Sequence, residues 1–308
     1  MRGPLYKTFI RKPIEIDHLD IPILRKNRLL ADVLRLDKIH PIVSGNKEFK
    51  LKHYLIDALS TGAESVLTWG GAYSNHLVAT AFAARENGLA SLGIVRGERP
   101  SRPSHTLQTA MNYGMDLHFT SRGEFGRKTE SETFLSLRKK FPGARIIPEG
   151  GAGLEGIRGS EEILDDPRLS DYSHILCAVG TATMFIGLAN ASRRNQIVMG
   201  FPVLRLANDL LIQCTEKIDD RDKWENMQMI QGYHFGGYAK KNNTLIDFMN
   251  SFYILSSIPL DFVYTAKLFY GFMDLVQKNY FPEKSKLLLI HSGGLQGNAS
   301  IPKGTLVY

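Results

Sequence analysis

Cysteine is scarce: Cys177 and Cys214 are the two in a chain of 308 residues. That excludes a disulfide framework and a cysteine-rich metal centre, and it suits a reducing compartment. Long apolar runs are also missing. No stretch reaches the ~18–20 apolar residues that a membrane-spanning helix requires. The start, MRGPLYKTFIRKP, carries positive charge without the apolar run of a secretory leader behind it. The expectation is a soluble, cytoplasmic protein. The formal net charge is +7, spread thinly with no long basic block. Such a balance argues against a nucleic-acid partner and suits a small anionic ligand. G-x-S-x-G, H-E-x-x-H and a Walker A loop are all absent, which removes the motif-based case for three large enzyme classes. No metal site and no membrane partner are expected.

What is present is an ordinary globular composition, 43% hydrophobic and 22% charged, with length enough for two domains. From about residue 50, short apolar runs alternate with longer amphipathic ones. The first half predicts helix 47–60, strand 65–69, helix 76–86 and strand 91–95. It continues with helix 105–113, strand 117–120, helix 130–141 and strand 145–148. The second half predicts helix 155–164, strand 175–179, helix 184–191 and strand 197–201, then helix 264–278 and strand 286–291. Over 208–250 the pattern favours helix for the most part. Strand–helix alternation with Gly-marked loops is the signature of βαβ units and parallel sheets flanked by helices. Ligands of such sheets gather where strand ends lead into helix N-termini.

Three lysines stand close together in SGNKEFKLKHY: Lys47, Lys50 and Lys52. On a helical wheel, Leu51, Tyr54, Leu55, Ala58 and Leu59 form one apolar stripe. Lys47 is one turn before Leu51 and falls within it. Lys50 and Lys52 lie near its margins, roughly 90–110° from the centre, where they can reach solvent or a groove edge. An inward lysine is costly, and burial lowers its pKa, which is what a Schiff-base lysine needs. On the pattern alone a lysine snorkelling from a frayed first turn is the commoner case.

Two further loops sit between a strand and a helix. Gly70-Gly71-Ala72-Tyr73-Ser74-Asn75-His76 offers Ser74 or Asn75 as N-cap, and its free N–H groups suit a carboxylate or phosphate. Val179-Gly180-Thr181-Ala182-Thr183 has the same context and adds hydroxyls that suit a phosphate. A capped βα turn without a ligand is the plain alternative for each. Gly151-Ala152-Gly153-Leu154-Glu155-Gly156 matches the dinucleotide pattern G-x-G-x-x-G. No acidic residue ends a following strand at the required distance, however. Cys177 and His291 read as core residues. Tyr233, His234, Tyr238 and Tyr264 suit either the lining of a flat cofactor or aromatic core.

In order along the chain stand SGNKEFKL, GGAYSNH, PEGG, AVGT, YHFGGYAK, VYTAK and HSGG. Each is weak alone. The ordered set, spanning roughly Leu34 to Gly297, resembles the family of pyridoxal-phosphate enzymes that includes 1-aminocyclopropane-1-carboxylate deaminase and D-cysteine desulfhydrase. The resemblance implies the two-domain tryptophan-synthase-β-like fold, an α/β fold of type II pyridoxal-phosphate enzymes. The expected large domain is 1–52 plus 152–308, with 53–151 as a small insertion.

By position, the resemblance makes Lys47 the lysine bound covalently to pyridoxal 5'-phosphate. Lys50 is a second lysine that approaches its phosphate, and Asn75 the partner of the pyridine 3'-oxygen. Ser74, Asn75 and His76 form the turn that receives the substrate carboxylate, with Ser74 also a catalytic hydroxyl. Gly180, Thr181, Ala182 and Thr183 form the phosphate loop. Tyr264 faces the pyridine ring, Tyr238 stands near the substrate, and Thr265 and Ser292 line the cofactor.

The family's phosphate loop is G-T-G-G-T, whereas here Ala182, Thr183 and Met184 follow Gly180-Thr181. The deaminases carry Glu after the ring tyrosine, where this chain has Thr265, and an apolar residue where it has Ser292. Small hydroxyls at both places resemble the desulfhydrases. The expected reaction is therefore β-elimination from a small amino acid, D-cysteine first, to pyruvate, ammonia and sulfide. Opening of 1-aminocyclopropane-1-carboxylate is the alternative. A dinucleotide-dependent oxidoreductase and a catalytically idle cofactor-binding protein are more remote. Homodimers are the family habit.

Overall fold

The computed structural model describes residues 6–10, 13–204 and 221–308. In chain order it begins with strand β1 (Ile16–His18), helix α1 (Pro22–Lys26) and strand β2 (Leu30–Leu34). Then come α2 (Lys47–Ser60), β3 (Ser65–Gly70), α3 (Asn75–Glu86), β4 (Ala90–Arg96), α4 (His105–Asn112) and β5 (Met115–Thr120). Next are α5 (Arg122–Arg127), α6 (Glu132–Lys140), β6 (Arg145–Ile147), α7 (Leu154–Glu161), β7 (His174–Val179), α8 (Thr183–Ala191) and β8 (Ile197–Pro202). Last are β9 (Met227–Met229), α9 (Asn243–Ser256), α10 (Thr265–Gln277) and β10 (Lys286–Ile290).

The chain divides into two compact units. One gathers Lys47–Gly159, His40–Val43 and the described residues before Arg11. Its sheet has four parallel strands in the order β5-β4-β3-β6. The segment 53–151, expected as an insertion, lies within this unit. The other gathers 13–39, Ser44–Asn46 and Ser160–Tyr308. Its sheet has six strands in the order β1-β2-β10-β7-β8-β9. They pair in parallel except for β1 on β2. The central strands SVLTWG and HILCAV are buried at every position. Continuous apolar runs of this kind belong to parallel strands covered on both faces.

Each sheet has its own core. Leu51, Tyr54, Leu55, Ala58 and Leu59, the stripe read on the wheel, are buried together with Val66, Ala83 and Ile147. In the other unit Phe269, Phe272 and Val276 of α10 pack with Leu176, Phe201, Leu287 and Leu289. Cys177 lies fully buried in β7, as core.

The expectation of mostly helix over 208–250 is corrected where it can be compared. Residues 205–220, with Cys214, lie outside the described set. Past them the chain makes a 3-10 turn, strand β9 and an irregular stretch before α9 starts at Asn243. Helical periodicity is read from apolar spacing, and 230–242 is rich in glycine and polar aromatics instead. The pattern began too late to see β1 and β2, and α5 was not expected.

Candidate active site

Lys47 is the first residue of α2 and is half-buried. The next residue, Glu48, is 1% exposed. Its carboxylate accepts from Phe9 N–H (3.1 Å), Thr8 Oγ1 (3.0 Å) and Tyr6 OH (3.1 Å). Burial pushes that carboxyl above its ordinary value. These contacts tie the first turn of α2 down, so Lys47 does not sit at a frayed end. Of the two expectations for Lys50, solvent or a groove edge, the first is corrected: it is 5% exposed. A Cβ on Gly151 would stand 3.0 Å from the Cβ of Lys50, and one on Gly159 would strike the carbonyl of Phe49. The chain after β6 thus closes over that flank of α2, which a helical wheel cannot foresee.

In the same unit the loop after β3 delivers three candidates. Ser74 is the N-cap of α3, and its hydroxyl accepts from Leu77 N–H at 3.4 Å. Replacing Ser74 by Ala is expected to lower stability by about 1 kcal/mol or less, because the bond is long; a shift of the denaturant midpoint measures it. Asn75 opens the helix, and its Oδ1 is buried with no hydrogen-bond partner among the described residues. The amides of Asn75 and His76 are among those that a helix start leaves without intrahelical acceptors.

The His76 side chain turns inward and is 3% exposed. Thr68 Oγ1 donates its one proton to the Ile147 carbonyl (2.7 Å), so it accepts from His76 Nε2–H (2.8 Å). That leaves Nδ1 as the lone-pair nitrogen, without a partner among the described residues. Burial, with Lys47 and Lys50 nearby, holds the imidazole well below its usual pKa, and therefore neutral. Any contact of His76 with a substrate carboxylate is left to its backbone.

In the other unit, β7 runs into Gly180-Thr181-Ala182 and then α8. The Thr181 and Thr183 hydroxyls are 3.0 Å apart. No side chain caps α8, so its first amides and two hydroxyls form one donor-rich end. Ala182 stands at φ 58°, where the family pattern has glycine. An L-residue pays ~1–2 kcal/mol there. Met184, where the family has threonine, is buried, and its sulfur accepts from Asn46 Nδ2 (3.4 Å).

Tyr264 precedes α10, and a Cβ on Gly180 would meet its ring at 3.3 Å. Its hydroxyl bonds that of Tyr238 at 3.1 Å, and Tyr238 is exposed. Gly180, Tyr264 and Tyr238 are thus brought together. Thr265 is fully buried. Its hydroxyl donates to Asp261 Oδ2 (2.7 Å) and accepts from Asp261 N–H (2.8 Å). Asp261 also takes the amides of Val263, Tyr264 and Thr265 and so caps α10. Ser292 accepts Asn46 N–H on its carbonyl (3.2 Å), which joins the SGN and HSGG loops.

Several candidates read from sequence are structural. His291 is buried, donating Nε2–H to Pro259 O (2.8 Å), with Nδ1 3.3 Å from Asp37. Arg35 binds Asp37 in turn and holds its carboxyl below the ordinary range. Tyr233 donates to Asp274 (2.5 Å), and His234 accepts from Gly236 N–H (3.0 Å). The glycine turn at 151–156 is filled by Tyr54, whose hydroxyl donates to the Ala152 carbonyl. Sequence reasoning missed Asp261 and Lys267. The clues were an acidic residue just before α10 and a lysine on its apolar face.

The likeness to known enzymes extends over most of the chain. A Pyrococcus abyssi protein, provisionally named a 1-aminocyclopropane-1-carboxylate deaminase, is 31% identical over 272 residues, 83% of this chain and 81% of its own. The chain belongs to the 1-aminocyclopropane-1-carboxylate deaminase and D-cysteine desulfhydrase family. Within this family, the D-cysteine desulfhydrase of Salmonella typhi is 25% identical over 290 residues, 85% of this chain and 86% of its own. A solved deaminase homologue superposes with a TM-score of 0.78 at 26% identity, covering 96% of this chain and 93% of that one. No family model matches. The fold is that of the type II pyridoxal-phosphate enzymes, and pyridoxal 5'-phosphate is the cofactor.

The residues present fit that group. Asn75 offers a buried amide oxygen without a partner among the described residues. Gly180 presents no side chain toward the Tyr264 ring, and α8 begins with uncapped amides beside two threonine hydroxyls. Lys47 is a half-buried amine on an anchored helix turn.

Proposed function

We propose that this family member eliminates a β-substituent from a small amino acid, with D-cysteine as the first candidate. The observation that carries the substrate choice is Thr265. It is fully buried and its only proton is spent on Asp261. A neutral hydroxyl with one lone pair left cannot hold a pyridine nitrogen protonated as a carboxylate would. Thiolate is a good leaving group and needs less electron withdrawal than an unactivated cyclopropane ring. Ser292 adds a second hydroxyl where the deaminase pattern is apolar.

When bound, the cofactor supplies an electron sink that makes the proton α to the amine removable. We assign Lys47 as the residue that would anchor it covalently and whose Nζ, when free as the amine, would take that proton. Gly180–Thr183 and Lys50 hold the phosphate, and Asn75 the pyridine oxygen. The amides of Asn75 and His76, with the Ser74 hydroxyl, hold the substrate carboxylate; the Ser74 amide itself donates to Gly71 O. Tyr264 covers the ring, and Tyr238 orients the substrate through the hydroxyl it shares with Tyr264. The net reaction consumes one water and converts D-cysteine to pyruvate, ammonia and hydrogen sulfide. The reading includes a cytoplasmic homodimer without nucleic-acid or membrane partners.

A second reading, ring opening of 1-aminocyclopropane-1-carboxylate, has its own support. The Pyrococcus and Thermotoga maritima relatives at 28–31% identity carry that name provisionally. One preparation assayed for pyruvate from D-cysteine and for α-ketobutyrate from the cyclopropane acid separates the two. Faster pyruvate release is expected. Faster ring opening overturns the first reading, and a yellow protein with neither activity leaves a binding protein.

A further inference from the structure

Lys267 is the one lysine among the described residues that is fully buried, at 0% exposure. It lies in the first turn of α10, three residues after Tyr264. Its Nζ donates to the carbonyl of Gly237 (2.7 Å) and, more weakly, to that of Val203 (3.2 Å). A buried amine of this kind costs stability, and a thioether or alkyl chain of similar length would pack there more favourably. Burial lowers its pKa to about 8, against the opposing pull of Asp261.

The segment it holds has little regular support. Phe235 and Ala239 stand at φ 51° and 54°, in the left-handed region that non-glycine residues avoid. The local backbone bonds there are Gly237 N–H to His234 O (3.0 Å) and Lys240 N–H to Gly237 O (3.1 Å). Gly237 O is the oxygen of the peptide that leads into Tyr238, and it takes the shorter of the two Lys267 bonds. Tyr238 in turn reaches back to Tyr264 at 3.1 Å. The contacts close a ring: Lys267, Gly237, Tyr238, Tyr264, and back along the helix start.

We propose that Lys267 is a positioning residue that fixes the Gly237–Tyr238 peptide and thereby sets where the Tyr238 hydroxyl stands against Tyr264. The consequence for turnover rests on the reading of Tyr238 as a substrate-facing residue; the consequence for the loop does not. Lys267→Met removes the donor at similar length, and Lys267→Gln keeps a donor should Met fold poorly. Amide hydrogen exchange on cofactor-free protein is the first measurement. Peptides over 232–240 are expected to exchange ~10-fold faster in Lys267→Met, as for a local opening, and less so in Lys267→Gln, with β7 and β10 unchanged. The second measurement is kcat/KM in a double-mutant cycle with Tyr238→Phe. A several-fold loss from Lys267→Met is expected in the parent and little further loss in Tyr238→Phe. Unchanged exchange over 232–240, or acceleration spread equally through β7 and β10, overturns the proposal. An equal loss of kcat/KM in both backgrounds does so as well. If no substrate turns over, the exchange arm still decides the role of Lys267, while the proposed reaction fails separately.

Discussion

Lys47→Ala protein is expected to lose the label that borohydride fixes in the parent, and its elimination rate is expected to fall by ~10²–10⁴-fold from loss of the base alone. The parent carries the fixed label on the peptide containing Lys47. The expectation rests on three independent features. Lys47 begins α2 on the stripe side, the Glu48 contacts to residues 6–9 anchor that turn, and family membership requires a covalent lysine. Lys50 makes the sharper comparison because it is the more buried of the two. Lys50→Ala is expected to keep the covalent label and to retain the cofactor less tightly on dialysis. Mass spectrometry of the reduced protein decides between them. A label that persists in Lys47→Ala, whether on Lys50 or elsewhere, sinks the assignment.

The second large effect concerns Gly45, in the loop that delivers Asn46 and Lys47. Gly45 stands at φ +70°, and a Cβ there would lie 1.9 Å from the carbonyl oxygen of Ser292 and 2.7 Å from Gly293 Cα. Both neighbours are backbone, so no side chain can swing aside. Gly62, after α2, has the same φ of +70° with nothing within 4 Å. Gly62→Ala therefore isolates the conformational cost, ~1–2 kcal/mol. Gly45→Ala adds a displacement of the HSGG loop and is expected to exceed ~4 kcal/mol, a loss reserved for a few severe mechanisms. Paired denaturant curves on the two variants measure the difference. Equal shifts would show that the SGN and HSGG loops part without cost.

Much of the fold was legible because its signals are local. Buried parallel strands read as unbroken apolar runs, and β3 and β7 stand where SVLTW and ILCAV placed them, each longer by one residue. Ser74 was one of two offered caps, and its φ of −79° and ψ of 111° with a bond to Leu77 N–H decide for it. The stretch 227–242 was not legible, since β9 is three residues long and owes its existence to β8 beside it. At the candidate site the types of residue were readable and their orientations were not. His76 reads as a turn residue open to a ligand. Its ring is claimed instead by Thr68, eight residues earlier, whose own proton goes to Ile147. Thr265 reads as a free hydroxyl, and Asp261 has already used its proton.

By itself the sequence determined the parallel α/β class, the strand–loop–helix turns and the apolar stripe of α2. All of these follow from periodicity, capping and glycine placement within a dozen residues. The ordered motifs added the family and its cofactor. Only the tertiary structure decided that Lys50 is buried, that His76 faces inward as a neutral Nε2–H tautomer, and that Lys267 reaches Gly237. The reason is separation. Lys50 is covered by residues near Gly151, His76 depends on Ile147 through Thr68, and Lys267 bonds to oxygens 30 and 64 positions away. A buried polar group is settled by the partner that folding brings to it, and a linear pattern carries no record of that partner.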